Sequence, residues 1–164
     1  MTIHFVSERP VHEMQIEGVL DRAFGPGRLA KTSERVRERG AVFEPNLSRV
    51  AVDEHGDVVG CSRIWRVRAG ECEFYFLGPL AVEPSVQREG VGASLTRASM
   101  GACRMVGGAG VVLVGALSFF APLGFSVIPQ GRLSLPGPVD PARFLWCELE
   151  PGGLQKAQGM IGAP

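Results

Sequence analysis

Residues 78–93 read Gly-Pro-Leu-Ala-Val-Glu-Pro-Ser-Val-Gln-Arg-Glu-Gly-Val-Gly-Ala, and this stretch decides the fold of the chain. An apolar strand over 74–82 leads into it, and Pro84 ends that strand. The glycine-bearing turn that follows runs directly into an amphipathic helix. Because such a turn points backbone N–H groups outward at the positive end of a helix, it predicts a site for phosphate oxygens. Gly90 and Gly92 have no Cβ, so an anion can approach the main chain closely.

Two other interpretations of this turn are a plain strand–helix connection and a dinucleotide-binding turn. A Gly-x-Gly pair before a helix is by itself common in plain strand–helix connections, and only the combination with the strand, the proline and the glutamine favours phosphate binding. A dinucleotide-binding fingerprint needs a third glycine three residues beyond the second, and that position is Leu95. The sequence therefore excludes that class of site.

Length and charge restrict the class of protein. A chain of 164 residues is expected to form one domain, and 45% hydrophobic residues exclude disorder over its whole length. The 17 Lys and Arg residues balance the 17 Asp and Glu residues, which argues against a nucleic-acid partner. The arginine cluster at 35–39 is then expected to be the solvated face of a helix. No apolar stretch is long enough to predict a membrane span.

The cysteines and histidines predict neither a metal site nor a disulfide framework. The four cysteines contain no Cys-x-x-Cys pair, and the three histidines have no ligand spacing. Free thiols are typical of a reducing compartment. Glu8 and Arg9 interrupt the N-terminal region before an apolar run forms, so no signal peptide is expected. These observations predict a metal-free cytoplasmic protein.

Periodicity and turn residues predict a mixed α/β (α+β) fold that is not doubly wound. Strands are expected over 2–7, 47–52, 58–67, 72–82, 111–114, 125–128 and 144–149. Helices are expected over 10–24, 29–39 and 90–105, with a short helical or turn segment over 116–123. The proline-rich 135–141 predicts a stiff loop, and the Gly- and Ala-rich 155–164 a loose C-terminal tail.

Motifs spread over most of the chain carry a family resemblance. Gln87, Gly90 and Gly92 fit Gln/Arg-x-x-Gly-x-Gly/Ala directly after Leu-Ala-Val-x-Pro. With the segments 24–32, 77–82, 123–125 and 135–138, the chain resembles the GCN5-related N-acetyltransferases (GNAT), in their YhbS-like branch. The resemblance implies a single acetyltransferase domain over 1–154 with a central, mostly antiparallel sheet and flanking helices. It also implies that the neighbouring strands 75–82 and 111–114 splay apart.

The same resemblance implies an acetyl-CoA-dependent N-acetyltransferase, in which an amine attacks the thioester directly in a ternary complex. The acceptor would be a small-molecule or peptide amine, and a homodimer is left open. Phe24, Arg28 and Arg35 would form the rim of the acceptor pocket. The expected contacts with the cofactor are Leu80, Ala81, Val82, Gln87, Arg88, Glu89, Gly90, Val91, Gly92, Ala93 and Phe120.

The chain departs from the family pattern where catalysis would be assisted. Many relatives have a tyrosine beside the sulfur, four residues before the Gly-Phe pair, and that position is Phe120 here. Some carry a glutamate base on the central strand, where the nearest counterpart by count is Phe76. Weak candidates for catalytic groups are Ser118, Glu83 and Glu73, and for the two glutamates a solvated strand end is the favoured interpretation.

Three functions remain open from the sequence. The first is an acetyltransferase that relies on proximity, with water or Ser118 near the sulfur. The second is an acyl-CoA-binding sensor or weakly active partner protein, which the missing tyrosine favours. The third is an enzyme that acts on aminoacyl-tRNA, against which the neutral net charge argues.

Overall fold

The computed structural model describes residues 2–164, apart from the side chain of Arg88. Its strands are β1 (His4–Ser7), β2 (Val42–Phe43), β3 (Arg49–Val52), β4 (Val58–Gly70), β5 (Cys72–Val82), β6 (Gly110–Val114), β7 (Ser126–Val127), β8 (Leu133–Ser134), β9 (Phe144–Glu148) and β10 (Ala157–Gly162). Its α-helices are α1 (Glu13–Phe24), α2 (Thr32–Glu38), α3 (Val91–Met105) and α4 (Leu117–Phe120). Short 3₁₀ turns lie at Pro10–His12, Pro26–Ala30, Pro84–Glu89, Ala121–Leu123 and Pro141–Arg143.

One mixed sheet forms the centre of the molecule. The strands run β1-β3-β4-β5-β6-β9-β7, and β2 and β10 also pair with β4. Of the pairings among the described residues, β5 with β6 and β8 with β10 are parallel and the others are antiparallel. The mostly antiparallel mixed sheet with flanking helices confirms the predicted fold class.

Helices cover both faces of the long β4–β5 hairpin. Because both faces are buried, the sequences of these strands are nearly continuous apolar runs. On one face α1 packs Ile16 against Cys61 of β4 and its neighbours. On the other face α3 packs Leu95 against Val59 of β4 and Val82 of β5. Successive residues of each strand thus enter two different cores, because a strand alternates its side chains between faces. None of the helices described is both long and apolar enough to cross a membrane.

The prediction of a loose tail over 155–164 is wrong. Residues 157–162 form β10, which pairs with β4 and β8, and Ala157 and Ile161 are fully buried. The guanidinium of Arg132 donates a 2.8 Å hydrogen bond to the carbonyl oxygen of Ala157. Two apolar residues four positions apart among glycine and glutamine are too weak a pattern to predict a strand.

Candidate active site

The central strands β5 and β6 part in the middle of the sheet, as predicted. Within the part of the chain that the structure describes, they pair only at Tyr75 with Val111 and at Phe76 with Val112. Beyond these pairs β5 continues to Val82 while β6 ends at Val114, and the ladder between them stops. A cleft of about 930 Å³ opens at this point.

The part of β5 that faces the cleft is held in place from the neighbouring strand. The indole Nε1 of Trp65 on β4 donates a 2.7 Å hydrogen bond to the carbonyl oxygen of Gly78. Leu80 and Val82 line the cleft, whereas the side chain of Ala81 points to the opposite face and packs under α1. The backbone of this stretch has no partner strand on its open side, so its polar groups are available to a ligand.

The turn after β5 presents the start of α3 to the cleft. Gly90 has φ of 74° and ψ of 12°, a left-handed conformation that favours glycine, and α3 begins at the next residue. The first N–H groups of a helix have no acceptor within the helix. The side-chain amide of Gln87 donates to the carbonyl oxygen of Val82 at 3.2 Å, which ties the turn back to the end of β5. The turn therefore has the geometry of an anion-binding site.

Most of the predicted cofactor contacts lie together on the cleft wall. They are Leu80, Val82, Gln87, Gly90, Gly92, Ala93 and Phe120. Three others do not face the cleft: the side chains of Ala81 and Val91 are buried in the core, and Glu89 is exposed outside the lining. The side chain of Arg88 lies outside the described residues.

Aromatic rings without a hydroxyl form the wall opposite the turn. Phe120 is buried, packs edge-on against Phe119 and Phe125, and lines the cleft together with Phe119. Ser118, the alternative proton donor, is exposed and does not line the cleft. The single tyrosine, Tyr75, packs beside Gly108 on the far side, where burial raises the pKa of its hydroxyl. Among the cleft-lining residues described there is thus no tyrosine.

The structure does not bring the two predicted carboxylates into the cleft. Glu83 accepts hydrogen bonds of 2.7 and 2.9 Å from the guanidinium of Arg22 on α1. Glu73 pairs with Arg66 at 3.2 Å and with Arg68 at 3.0 Å. Both glutamates are thereby engaged in ion pairs at the surface, outside the cleft lining.

The predicted acceptor rim is only partly assembled. Phe24 and Arg28, at and just after the end of α1, line the cleft. Arg35 does not, because its guanidinium turns toward the proline-rich loop and donates to the carbonyl oxygen of Pro136 at 3.3 Å. The cleft wall on this side instead contains charged residues that the sequence analysis missed, namely Glu17, Glu34, Arg37 and Arg63.

These charged residues form two separate groups of ion pairs. Glu17 accepts from Arg28 at 2.5 Å and lies 3.8 Å from Arg63, which is itself held by Glu8 at 2.8 Å. Glu34 accepts two hydrogen bonds from Arg37, at 3.0 and 2.7 Å. Pairs of this kind fix the orientation of long side chains when they are shielded from water.

The expectation of a solvated helix face over 35–39 is wrong for Arg37. Its side chain is 8% exposed, and burial lowers the pKa of its guanidinium while Glu34 opposes that change. Val36 beside it is also buried, because α2 turns this side toward the sheet over Gly78. The i,i+3 spacing of Glu34 and Arg37 was the one signal in the sequence that these two side chains could pair.

The cleft thus joins a turn with the geometry of an anion-binding site at one end to a charged, partly enclosed chamber at the other. No group of three His, Cys, Asp or Glu side chains that could hold a metal ion occurs within the described residues. The four cysteines are free and buried, and burial raises the pKa of Cys61 and Cys103 to about 12. They are not reactive thiolates near neutral pH.

Comparison with known proteins finds similarity over most of the chain. The profile of the acetyltransferase (GNAT) family matches residues 14–125. A GNAT family N-acetyltransferase (YhbS) from Escherichia coli, solved in complex with CoA, is 23% identical; the match covers 99% of this chain and 89% of that one, with a TM-score of 0.83.

Two further solved structures extend the comparison. A GNAT acetyltransferase from Brucella melitensis in complex with acetyl-CoA is 29% identical, over 88% of this chain and 94% of that one, with a TM-score of 0.64. The ribosomal-protein-S18-alanine N-acetyltransferase from Escherichia coli is 14% identical over 91% and 95%, with a TM-score of 0.65. None of the curated proteins matches the chain.

Proposed function

Because this chain belongs to the acetyltransferase (GNAT) family, we propose that it transfers an acetyl group from acetyl-CoA to an amine. The single observation that carries the proposal is the splay of β5 and β6 into a cleft that ends at the turn before α3. The turn suits a pyrophosphate, and the open edge of β5 suits the amides of a pantetheine arm. Two solved relatives contain CoA or acetyl-CoA.

The donor would be held mainly by backbone groups. The free N–H groups of Val91, Gly92 and Ala93 at the start of α3 would bind the pyrophosphate, and the helix dipole would add to the attraction. The main chain of Leu80 to Val82 would pair with the pantetheine. The rings of Phe119 and Phe120 would shield this arm from water on the side of β6.

The reaction we propose is direct attack in a ternary complex. The nitrogen of a neutral amine forms a bond to the carbonyl carbon of the thioester, the carbon–sulfur bond breaks, and CoA leaves as a thiolate. The nitrogen becomes positively charged when it forms this bond, and it then loses its extra proton to water. Holding the two reactants in line supplies most of the acceleration in such a mechanism.

This transfer can proceed without a tyrosine on the described cleft wall. A thiol with a pKa of about 8.5 is a tolerable leaving group without protonation. The acceptor must still lose a proton, since an alkyl ammonium has a pKa of about 10.4. The cleft carboxylates Glu17 and Glu34 are engaged by arginines, so we assign neither as the base.

A second function is favoured by one observation, the phenyl ring of Phe120 at the position where many members of the family carry a tyrosine. It is an acyl-CoA-binding sensor or partner protein with little or no transfer activity. The CoA cleft would be the same in both cases, so only turnover separates them.

The experiment that tests the proposal has two parts. Calorimetry should detect binding of CoA and acetyl-CoA to the purified chain. Release of free CoA thiol from acetyl-CoA should then be followed with a mixed panel of amines, including small amines and peptides with a free N-terminus. Binding together with amine-dependent thiol release supports the enzyme, binding without release supports the sensor, and no binding contradicts both.

We also propose a cytoplasmic location. The support is that all four cysteines are free thiols, as is typical of proteins in a reducing compartment.

A further inference from the structure

The chamber at the α1–α2 end of the cleft is lined by more cationic side chains than carboxylates. Its three lining carboxylates are all engaged within the protein: Glu17 by Arg28, Glu34 by Arg37, and Asp140 by the backbone N–H of Ala142 at 3.0 Å. Two of the three carboxylates are thus paired with arginines of the same lining.

Two lining cations, in contrast, have no carboxylate partner among the described residues. Lys31 and Arg143 form no salt bridge, and the ammonium of Lys31 lies 4.0 Å from the centre of the Phe24 ring. Burial is the main cause that lowers the pKa of Lys31, and the nearby positive charges of Arg143 and Arg37 lower it further. Cations that repel one another around one chamber are stabilised by an anion placed between them.

Arg37 adds a donor that has no acceptor among the residues described. Its Nε and Nη2 are bound by Glu34, but its Nη1 is buried and without a hydrogen-bond partner. A Cβ on Gly78 would lie 3.3 Å from this Nη1, so the nitrogen sits at the point where β5 leaves β6. Buried donors without a partner are rare in folded proteins, and a missing ligand is one explanation of such a group.

These three cations are distinct from the part of the cleft that suits the pyrophosphate. The hydroxyl of Thr32 donates to the carbonyl oxygen of Pro138 at 2.6 Å and so ties the start of α2, beside Lys31, to the loop that leads to Arg143. Val82, where the pyrophosphate turn begins, lies four residues along β5 from Gly78, which is roughly 13 Å at the usual strand rise. The cations therefore surround the end of the cleft from which an acceptor would enter.

We propose that the acceptor is an amine that also carries an anionic group, a carboxylate or a phosphate ester, and that Arg37, Lys31 and Arg143 bind that group. The proposal rests on the acetyltransferase function above. The anion would occupy the chamber between α2 and the 138–143 loop, and would orient the amine of the same molecule toward the thioester beside Gly78.

Matched acceptors test this assignment. An ω-amino acid series, the corresponding carboxamides and aminoalkyl phosphates of the same length differ only in the group that the cations would bind. Loss of one charged hydrogen bond typically lowers affinity by about 10- to 100-fold. We expect the wild-type protein to prefer one of the two anionic series over the carboxamides by at least that factor in kcat/KM, and the preferred series identifies the group.

Variants then assign the preference to residues. Arg37→Gln, Lys31→Gln and Arg143→Gln should each lower kcat/KM for the anionic acceptor far more than for its carboxamide, with CoA affinity unchanged. Arg39→Gln, at the exposed end of the same helix, is the matched control and should change neither. Lys31 and Arg143 are exposed, so their variants should fold even if removal of the buried Arg37 does not.

A binding measurement keeps this test separate from the test of the enzyme. Calorimetric titration of each acceptor into the protein saturated with CoA detects the anion preference whether or not transfer occurs. Equal behaviour of anionic and neutral acceptors in both binding and turnover overturns the proposal. It is also overturned if the three variants weaken CoA instead of the acceptor, or if they lower activity toward both acceptor classes equally.

Discussion

A Cβ on Gly92 would stand 3.3 Å from Cζ of Phe119, so the first turn of α3 lies in close contact with the ring on α4 at this position. The same Cβ would lie 3.6 Å from Val82 at the end of β5. Gly90 is different, because a Cβ there would meet nothing within 4 Å and its left-handed φ alone favours glycine. One glycine of the pair thus sets the backbone, and the other leaves space at the helix start.

Gly92→Val should abolish tight CoA binding. The branched side chain would crowd Phe119 and Val82 and cover the N–H groups that we assign to the pyrophosphate. Loss of two charged hydrogen bonds at about 1.5–3 kcal/mol each corresponds to a hundredfold or greater rise in Kd. Gly101→Val is the matched control, since a Cβ at Gly101 of the same helix meets nothing within 4 Å. Unchanged calorimetric affinity in a folded Gly92→Val protein contradicts the assigned cradle.

Ile161→Ala should destabilise the fold markedly, although Ile161 lies only three residues before Pro164. Ile161 is 2% exposed on β10 and packs into the core cluster with Phe74 and Phe76. Truncation of a buried isoleucine typically costs about 2–5 kcal/mol. Met160→Ala on the same strand is the control, because Met160 is 57% exposed and should change the free energy of unfolding by less than about 0.5 kcal/mol. Urea unfolding distinguishes the two, and equal small effects would mean that β10 contributes little.

The sequence predicted the fold where the helices and strands are long or end at a glycine or proline. The β4–β5 hairpin and α3 are long apolar or amphipathic runs bounded by glycine or proline, and their positions were predicted to within a few residues. The two-residue strands Val42–Phe43 and Leu133–Ser134 were missed because two residues contain no periodicity. Such short strands form only because a neighbouring strand already presents free N–H and C=O groups.

The sequence also predicted one end of the cleft much better than the other. The cradle is contiguous in sequence, from Val82 to Ala93, so one motif contains it. The acceptor end assembles Glu17, Glu34, Arg63 and Arg143 from four separate segments, and each of these charges alone is typical of a solvated surface. Their contacts depend on how α1, α2 and the 138–143 loop pack over β4 and β5, which no local pattern encodes.

The stability of the fold should fall as the pH rises above about 9. Burial raises the pKa of the Cys61 thiol to about 12, from an ordinary value of 9.0. A raised folded-state pKa contributes stability that is fully present below the pKa of the unfolded chain and is lost as the pH rises toward the folded value, here between about pH 9 and 12. The unfolded chain loses its thiol proton first, which favours unfolding.

Cys61→Ala isolates this contribution. The variant leaves a small cavity whose cost does not depend on pH, and it removes the thiol that titrates. The destabilisation caused by the substitution should therefore shrink between pH 8 and pH 10, by on the order of 1 kcal/mol. Urea unfolding of both proteins at the two pH values measures the difference. A cost that stays constant over this range would show that the Cys61 thiol ionises as readily in the folded protein as in the unfolded chain.

Phe120→Tyr tests whether proton delivery to the leaving thiolate limits the reaction. Phe120 lines the cleft and is 7% exposed, so the new hydroxyl would be placed at the cleft wall with little added volume. General acid catalysis is typically worth on the order of 10²–10⁴-fold where it is needed. Because a thiolate with a pKa of about 8.5 can leave unprotonated, we expect kcat to rise by less than about tenfold.

Phe119→Tyr, on the neighbouring ring, shows how much of any change comes merely from adding a hydroxyl to the same wall. Both variants should be compared with the wild-type protein at saturating acetyl-CoA and a true acceptor, so that kcat reports the transfer step and not binding. A gain of a hundredfold or more in Phe120→Tyr, absent from Phe119→Tyr, would mean that the natural protein lacks an acid that its chemistry requires. That result would favour the acyl-CoA-binding function, because a phenyl ring at position 120 would then have been retained in a protein that does not depend on turnover.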